Sequence, residues 1–318
     1  MQLSDIYAAR KRLGQFIRKT PLESTHFLGA FCKGEVWLKL ENQQINGSFK
    51  VRGALNKIFQ LSEKDKNRGI VTASSGNHAQ GVGYAAKMLG IKATIFVPEN
   101  TPEVKIQAIK RYGVKLVVKG KEYMDSERLA RDLEAEGGMT FVSPYNDLDV
   151  ISGQGTIGLE MVEQKPDLDS ILVPVGGGGL ISGVGHAVKS VKEEIEVIGI
   201  QSVASPVMYE SIRKGHIVEM DLEDSVAEAL HGGIEEDSVT FKMCQDYVDE
   251  FILVREDNIV EAIATLLSRE HQVAEGAGAV GVAAILENPQ RFRGRKIGVI
   301  ISGANIDEDL LRQVCSRI

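Results

Sequence analysis

Apolar residues recur at helical spacing from Ile6 to Ile17 with charges between them, and the run ends before Thr20-Pro21, where proline disfavours helix. The period then changes. From Glu35 to Glu41, Val36, Leu38 and Leu40 alternate with charged neighbours and Trp37 takes the other face, the pattern of a half-buried strand. A helix is expected from near Ser48 past Ile58. From residue 69, short apolar runs alternate with amphipathic stretches. Strands are predicted at Gly69–Ala73, Ala93–Val97, Val114–Val118 and Thr140–Val142, with helices at Asn77–Met88, Glu103–Tyr112 and Ser126–Glu136. A second series predicts helices at Gly155–Val162, Leu180–Val191 and Pro206–Arg213 around strands Ile171–Val175 and Val197–Ile200. It closes with helices Asn258–Gln272 and Ala277–Leu286 and a strand Ile297–Ile301. Such alternation means parallel strands joined by helical crossovers. The expected architecture is α/β and two-lobed, with the chain crossing between lobes near Pro144–Leu148.

Length and composition narrow the class. A chain of 318 residues suits two lobes, and 43% hydrophobic with 25% charged residues is ordinary for a water-soluble globular protein. A net charge of -7 argues against a nucleic-acid partner. Three cysteines, Cys32, Cys244 and Cys315, are widely spaced and form no CxxC, so neither a disulfide framework nor a zinc site is indicated. The N-terminal stretch has no uninterrupted apolar core of a secretory leader, and no later run suits a bilayer. A cytoplasmic location is expected. Many of the 33 glycines follow apolar runs, a placement that close approach of backbone to a ligand would explain.

Four segments carry candidate chemistry. Lys50 follows the first predicted strand behind the Asn46-Gly47-Ser48 turn and beside Phe49, well placed to project an amine into a cleft, although a loop lysine is ordinarily solvated surface. Gly176, Gly177, Gly178 and Gly179 stand between a buried strand and the helix opening at Leu180. Converging backbone N–H groups and a helix N-terminus there make a phosphate cup. Neither GxGxxG spacing nor a Walker lysine accompanies them, so the phosphate is that of a small cofactor. Ser74-Ser75-Gly76-Asn77-His78, also between strand and helix, could hold a carboxylate, the plainer alternative being that Ser75 or Asn77 caps the helix. Ser302-Gly303-Ala304-Asn305 follows the last strand. All four lie at carboxyl ends of strands, where ligands of open α/β sheets gather. His26, His186, His216, His231 and His271 show no metal spacing and read as structural.

In combination these segments resemble the fold-type II pyridoxal-phosphate enzymes, within them the threonine/serine dehydratase and serine racemase group. GSFKVRGALNKI, SSGNHAQGVGYAAKMLG, ISGQGTIGLEM, VPVGGGGLISG, AEGAGAVGVAAIL and ISGAN occur in family order across essentially the whole chain. The resemblance implies a large cofactor domain of residues 1–45 and 146–318 and a small domain of residues 46–145. It implies that Lys50 forms the Schiff base with pyridoxal 5'-phosphate and that Phe49 packs on one face of the ring. Asn77 would bond the phenolic oxygen, Gly176 to Gly179 and Leu180 the phosphate, and Ser302 the ring nitrogen. Glu275 would lie near the ring edge. Ser74, Ser75, Gly76, Asn77 and His78 would hold the substrate carboxylate. A freed Lys50 amine would take the Cα proton, after which loss of the β-hydroxyl and hydrolysis yield a 2-oxo acid and ammonia. A homodimer or homotetramer acting on a small β-hydroxy amino acid is implied. The chain ends soon after ISGAN, so neither a regulatory domain nor control by isoleucine is expected.

Departures from the family pattern define the alternatives. Ser75 stands where many threonine dehydratases have alanine and serine racemases have serine; a second proton donor opposite Lys50 is what racemisation requires. The acidic residues of the racemases' divalent-cation site are replaced by Gln201 and Val207, so no metal is expected, and AEGAGA around Glu275 resembles the dehydratases more. Asn46 replaces the usual threonine before GSFK. The expected function is a threonine/serine dehydratase, with a serine racemase or a hydroxyaspartate dehydratase/racemase using Lys50 and Ser75 on opposite faces as the alternative and a non-catalytic cofactor-binding protein as a minor one. A β-replacement synthase would carry different lysine-loop and asparagine-loop motifs.

Overall fold

Ten strands form two sheets in the computed structural model, which describes residues 1–318. They are β1 (Leu22–Thr25), β2 (Glu35–Lys39), β3 (Ile70–Ala73), β4 (Ala93–Val97), β5 (Lys115–Val118), β6 (Thr140–Phe141), β7 (Ser170–Pro174), β8 (Glu196–Ser202), β9 (Glu250–Val254) and β10 (Lys296–Ile300). The helices are α1 (Leu3–Leu13), α2 (His26–Cys32), α3 (Lys50–Phe59), α4 (Glu63–Arg68), α5 (Asn77–Leu89), α6 (Glu103–Lys110), α7 (Tyr123–Gly137), α8 (Leu148–Gln164), α9 (Gly179–Val191), α10 (Val207–Lys214), α11 (Val239–Tyr247), α12 (Glu256–Arg269), α13 (Gly276–Glu287) and α14 (Glu308–Cys315).

The larger sheet runs β1-β2-β10-β7-β8-β9 and is parallel apart from β1, which pairs antiparallel with β2. The smaller runs β5-β4-β3-β6 and is parallel throughout. Helices cover both faces. Every residue of β3, β4 and β7 is consequently buried, which is why these strands read as continuous apolar runs rather than as alternation.

Several elements begin or end elsewhere than the periodicity predicts. The first helix stops at Leu13 and passes into a 3-10 turn, Gly14–Phe16. α3 starts at Lys50 rather than near Ser48, because Ser48 is held in an extended bridge with Gly303. α8 starts seven residues ahead of Gly155 (155 − 148), where Asp147 caps it by accepting from the N–H groups of Asp149 and Val150. β1, α2, α4, α11, β9 and α14 were not foreseen. Of these, β1 is short and mostly exposed, and β9 lies at the sheet edge with only Val254 fully buried.

Lys39 corrects the reading of β2. Its place in the alternation suggests a solvated side chain, yet it is wholly buried. Its amine donates to Glu160 Oε2 at 2.7 Å, the Thr20 carbonyl at 2.7 Å and Gln164 Oε1 at 2.8 Å. Glu160 also receives Arg52 through Nη1 at 2.7 Å and Nη2 at 3.0 Å. Glu41 completes the cluster, taking Arg52 Nε and Nη2 at 2.8 Å each. Two buried cations thus face two buried carboxylates, a balance without which their desolvation would be prohibitive. Burial works against both cations, but the two carboxylates outweigh it at Arg52 and hold its guanidinium above its ordinary range.

Candidate active site

Lys50 is brought to the carboxyl end of β2 by the turn at Glu41–Gln43 and is the first residue of α3. Behind it, Arg52 is locked in the buried charge cluster, and Gly81 of α5 lies so close that a Cβ there would be 3.1 Å from the Lys50 carbonyl carbon. The lysine backbone is therefore clamped from two directions. Its amine donates to the Pro144 carbonyl at 2.8 Å and lies 5.2 Å from the centre of the Phe49 ring. Burial lowers the amine to about 8, against the pull of the Glu275 carboxylate. Such a lysine is substantially neutral, and nucleophilic, at mildly alkaline pH.

Asn77 opens α5, whose N-cap is Gly76, with no side-chain cap. The capping alternative for Ser75 or Asn77 therefore fails. Instead Asn77 is buried and turns toward α13, donating from Nδ2 to Glu275 Oε1 at 2.7 Å and accepting at Oδ1 from Asn305 Nδ2 at 2.6 Å. Glu275 is the N-cap of α13. Burial raises its carboxyl to about 7, opposed by the Asn77 amide and the Asn305 backbone N–H.

At the end of β7, Gly178 adopts φ +86° and opens α9. The N–H groups of Gly176, Gly177 and Gly178 donate to no acceptor of the chain, and those of Gly179 and Leu180 belong to the first helical turn, which has no internal partner. A cradle of free donors at a helix N-terminus suits a phosphate. On the other side of these glycines lies protein. A Cβ on Gly177 would fall 2.6 Å from the Tyr145 ring, one on Gly179 2.8 Å from Tyr145 Cα, and one on Gly178 2.9 Å from Thr240 Cβ. Thr240 also donates to the Gly177 carbonyl at 2.7 Å.

The remaining residues named from the sequence fall around the same point. Ser302 is buried after β10, and its carbonyl accepts from the Phe49 N–H at 3.1 Å, tying the last strand to the lysine loop. Ser74 and Ser75 are partly exposed between β3 and α5, and Ser74 Oγ accepts from the Gly76 N–H at 3.2 Å. His78 is turned inward, its Nε2 2.8 Å from the Val142 carbonyl. Burial and the neighbouring Lys50 amine lower its imidazole to about 3, so it is neutral, and only its backbone N–H is left for an anion. Gln201 closes the entry to α10, accepting at Oε1 from the Tyr209 N–H at 2.7 Å.

A sequence model of the family described as pyridoxal-phosphate dependent enzyme matches residues 13–303. The chain belongs to this family. Its cofactor is pyridoxal 5'-phosphate, and within the fold-type II enzymes it sits in the threonine/serine dehydratase and serine racemase group. It is 43% identical over 315 residues to an L-threonine ammonia-lyase of Thermotoga maritima, covering 99% of this chain and 78% of that protein. Catabolic L-threonine dehydratase TdcB of Staphylococcus aureus is 43% identical over 311 residues, covering 96% and 90%. Among solved structures, maize serine racemase superposes with a TM-score of 0.93 at 34% identity, over 99% of this chain and 97% of that one. Neither Tyr145 nor the Pro144 carbonyl could be singled out beforehand: nothing local reveals that Tyr145 packs against glycines beyond residue 170. Asn305 lay in a named segment, yet its partner Asn77 is 228 positions away.

Proposed function

We propose that the protein is an L-threonine/L-serine dehydratase that releases water and ammonia from a β-hydroxy amino acid to leave a 2-oxo acid. The observation that carries this reading is the convergence of a buried, pKa-lowered Lys50 amine, a cradle of free glycine N–H groups and the Asn77–Glu275 pair. The 43% identity to threonine ammonia-lyase along nearly the whole chain supports it. Gly176, Gly177, Gly178, Gly179 and Leu180 would bind the phosphate, Phe49 would lie against the ring, Asn77 would face the phenolic oxygen and Ser302 the ring nitrogen. When bound, the cofactor would supply a sink for electrons released at the substrate Cα. Ser74, Ser75, Gly76 and the first N–H groups of α5 would receive the substrate carboxylate, while the Lys50 amine, once free of the cofactor, would remove the Cα proton. A neutral serine at the ring nitrogen makes a weaker sink than a carboxylate would, which favours elimination. Residues 46–145 act as the small domain, residues 1–45 and 146–318 as the large one. A homodimer or homotetramer in the cytoplasm completes the proposal; no helix is long and apolar enough to cross a membrane.

Ser75 favours a second reading, serine or hydroxyaspartate racemisation, because its partly exposed side chain stands at the same helix start as Asn77 and would serve the face of Cα opposite Lys50. The test is to incubate the protein and pyridoxal phosphate with L-threonine, L-serine and L-threo-3-hydroxyaspartate, following oxo acid and the chirality of the remaining amino acid. Oxo acid without D-enantiomer, abolished in Lys50→Ala, is the expected result. D-Amino acid that disappears in Ser75→Ala while elimination persists would make racemisation the better name. A bound cofactor with no turnover of any substrate would favour the binding-protein alternative.

A further inference from the structure

The amide of Asn77 could in principle face either way, because its two ends are alike in size. The surroundings decide the matter through a backbone group. Asn305 Nδ2 lies 3.1 Å from the Asn46 carbonyl, which can only accept, so this end of Asn305 must be its NH2. The atom of Asn77 that stands 2.6 Å from the same NH2 must then be its oxygen, leaving the Asn77 NH2 toward Glu275 Oε1 at 2.7 Å. Glycines make room for this chain of contacts. A Cβ on Gly303 would fall 2.6 Å from Glu275 Oε1 and 3.2 Å from Asn77 Nδ2, and one on Gly47 3.1 Å from Asn305 Oδ1. The Asn46 side-chain amide donates to the Ser48 carbonyl and accepts from the Gly81 N–H, both at 3.1 Å.

We propose that Asn305 is a positioning residue that fixes the polarity of the Asn77 amide, so that Asn77 presents N–H groups, and never its oxygen, to Glu275 and to the phenolic oxygen of the cofactor. One Asn77 hydrogen is committed to Glu275; the second remains for the phenolate, whose ionisation a donor favours and an acceptor opposes. The inference rests on the cofactor site proposed above. It also gives Asn46 a place in the site: its side-chain amide ties to Gly81 of α5 the segment whose backbone carbonyl orients Asn305. The charged and titratable groups bearing on Glu275 are Lys50, Glu228 and Lys105.

The test compares Asn305→Ala and Asn305→Asp with the wild type, each loaded with pyridoxal phosphate and checked by far-UV circular dichroism, by titrating the visible band of the bound cofactor with pH and measuring cofactor affinity. Asn305→Asp turns a donor into an acceptor and invites the Asn77 amide to reverse. The midpoint of the band is expected to move by about one pH unit or more, the size of one hydrogen bond to a charged group, with cofactor affinity about tenfold weaker. Asn305→Ala frees the amide and is expected to shift the midpoint less. On an Asn77→Ala background the Asn305→Ala shift is expected to vanish, because there is no amide left to orient. Unchanged midpoints in both single variants, or a shift that survives on the Asn77→Ala background, would overturn the proposal, even if stability falls. A wild-type protein that shows no visible band with pyridoxal phosphate would instead overturn the cofactor-site reading beneath it.

Discussion

At the scale of single residues, the site is a set of groups whose ordinary protonation is altered by burial. Lys50, Glu275 and His78 are all displaced toward neutrality by it, the first to about 8, the second to about 7 and the third to about 3. Only a neutral amine attacks a carbonyl, so capture of the cofactor by Lys50 should follow the neutral fraction. For a group whose protonated form dominates below about 8, that fraction rises about tenfold per pH unit until the midpoint is reached. The rate at which cofactor-stripped protein regains its visible band should therefore climb steeply below about pH 8 and level off above it. A rate still climbing up to the ordinary lysine range, near 10.4, would show that the amine is not depressed. His78 stays neutral throughout the working range, so no second break is expected from it.

Among the elements, glycine is where sequence and structure part most instructively. The motifs at the ends of β2, β3, β7 and β10 were legible because a chemistry-bearing turn is written in adjacent residues. Close approach of one helix to another is not, because each glycine's neighbour is remote in the chain. Expected to serve a ligand, many of these glycines instead let α8 sink between α3 and α9. A Cβ on Gly53 would meet Gln154 Nε2 at 2.4 Å, one on Gly153 the Arg52 carbonyl oxygen at 2.7 Å, and one on Gly183 the Ile151 carbonyl oxygen at 2.3 Å. The buried Lys39 was illegible for the same reason: alternation assigned it to solvent, and its partner Glu160 is 121 residues later. Gly183→Ala should accordingly cost more than the loss of helix flexibility returns. Alanine favours a helix interior by about 1 kcal/mol over glycine, but overpacking of a rigid backbone contact costs about 1–3 kcal/mol or more. A lower denaturation midpoint in urea, measured on the cofactor-loaded enzyme, is the expected result; an unchanged or higher one would mean that α8 and α9 can separate without penalty.

Across the whole molecule, the two lobes are joined in two different ways. At one end, Arg52 of the proposed small domain is locked between Glu41 and Glu160 of the large one, with no solvent access to its side chain. At the other, Lys105 of α6 reaches Glu228 at 2.6 Å and Arg131 of α7 approaches Glu235 at 3.4 Å, all four groups being partly or largely exposed. Physical chemistry assigns these joints unequal strengths. Removing one member of a buried pair strands the other charge and costs about 3–5 kcal/mol, whereas an exposed pair contributes about 0–1 kcal/mol. The buried end is thus the stronger joint and the exposed end the weaker one. Arg52→Met should lower the melting temperature sharply at any salt concentration. Lys105→Ala with Glu235→Gln should leave it nearly unchanged yet raise KM, because the Glu228–Leu230 turn packs beside the glycine cradle, with Leu230 Cα 3.0 Å from the Cβ position of Gly176. Salt should mimic the double variant in the wild type, screening the exposed pairs while sparing the buried cluster. Equal losses of stability from both sets of substitutions would contradict the division into a strong buried joint and a weak exposed one.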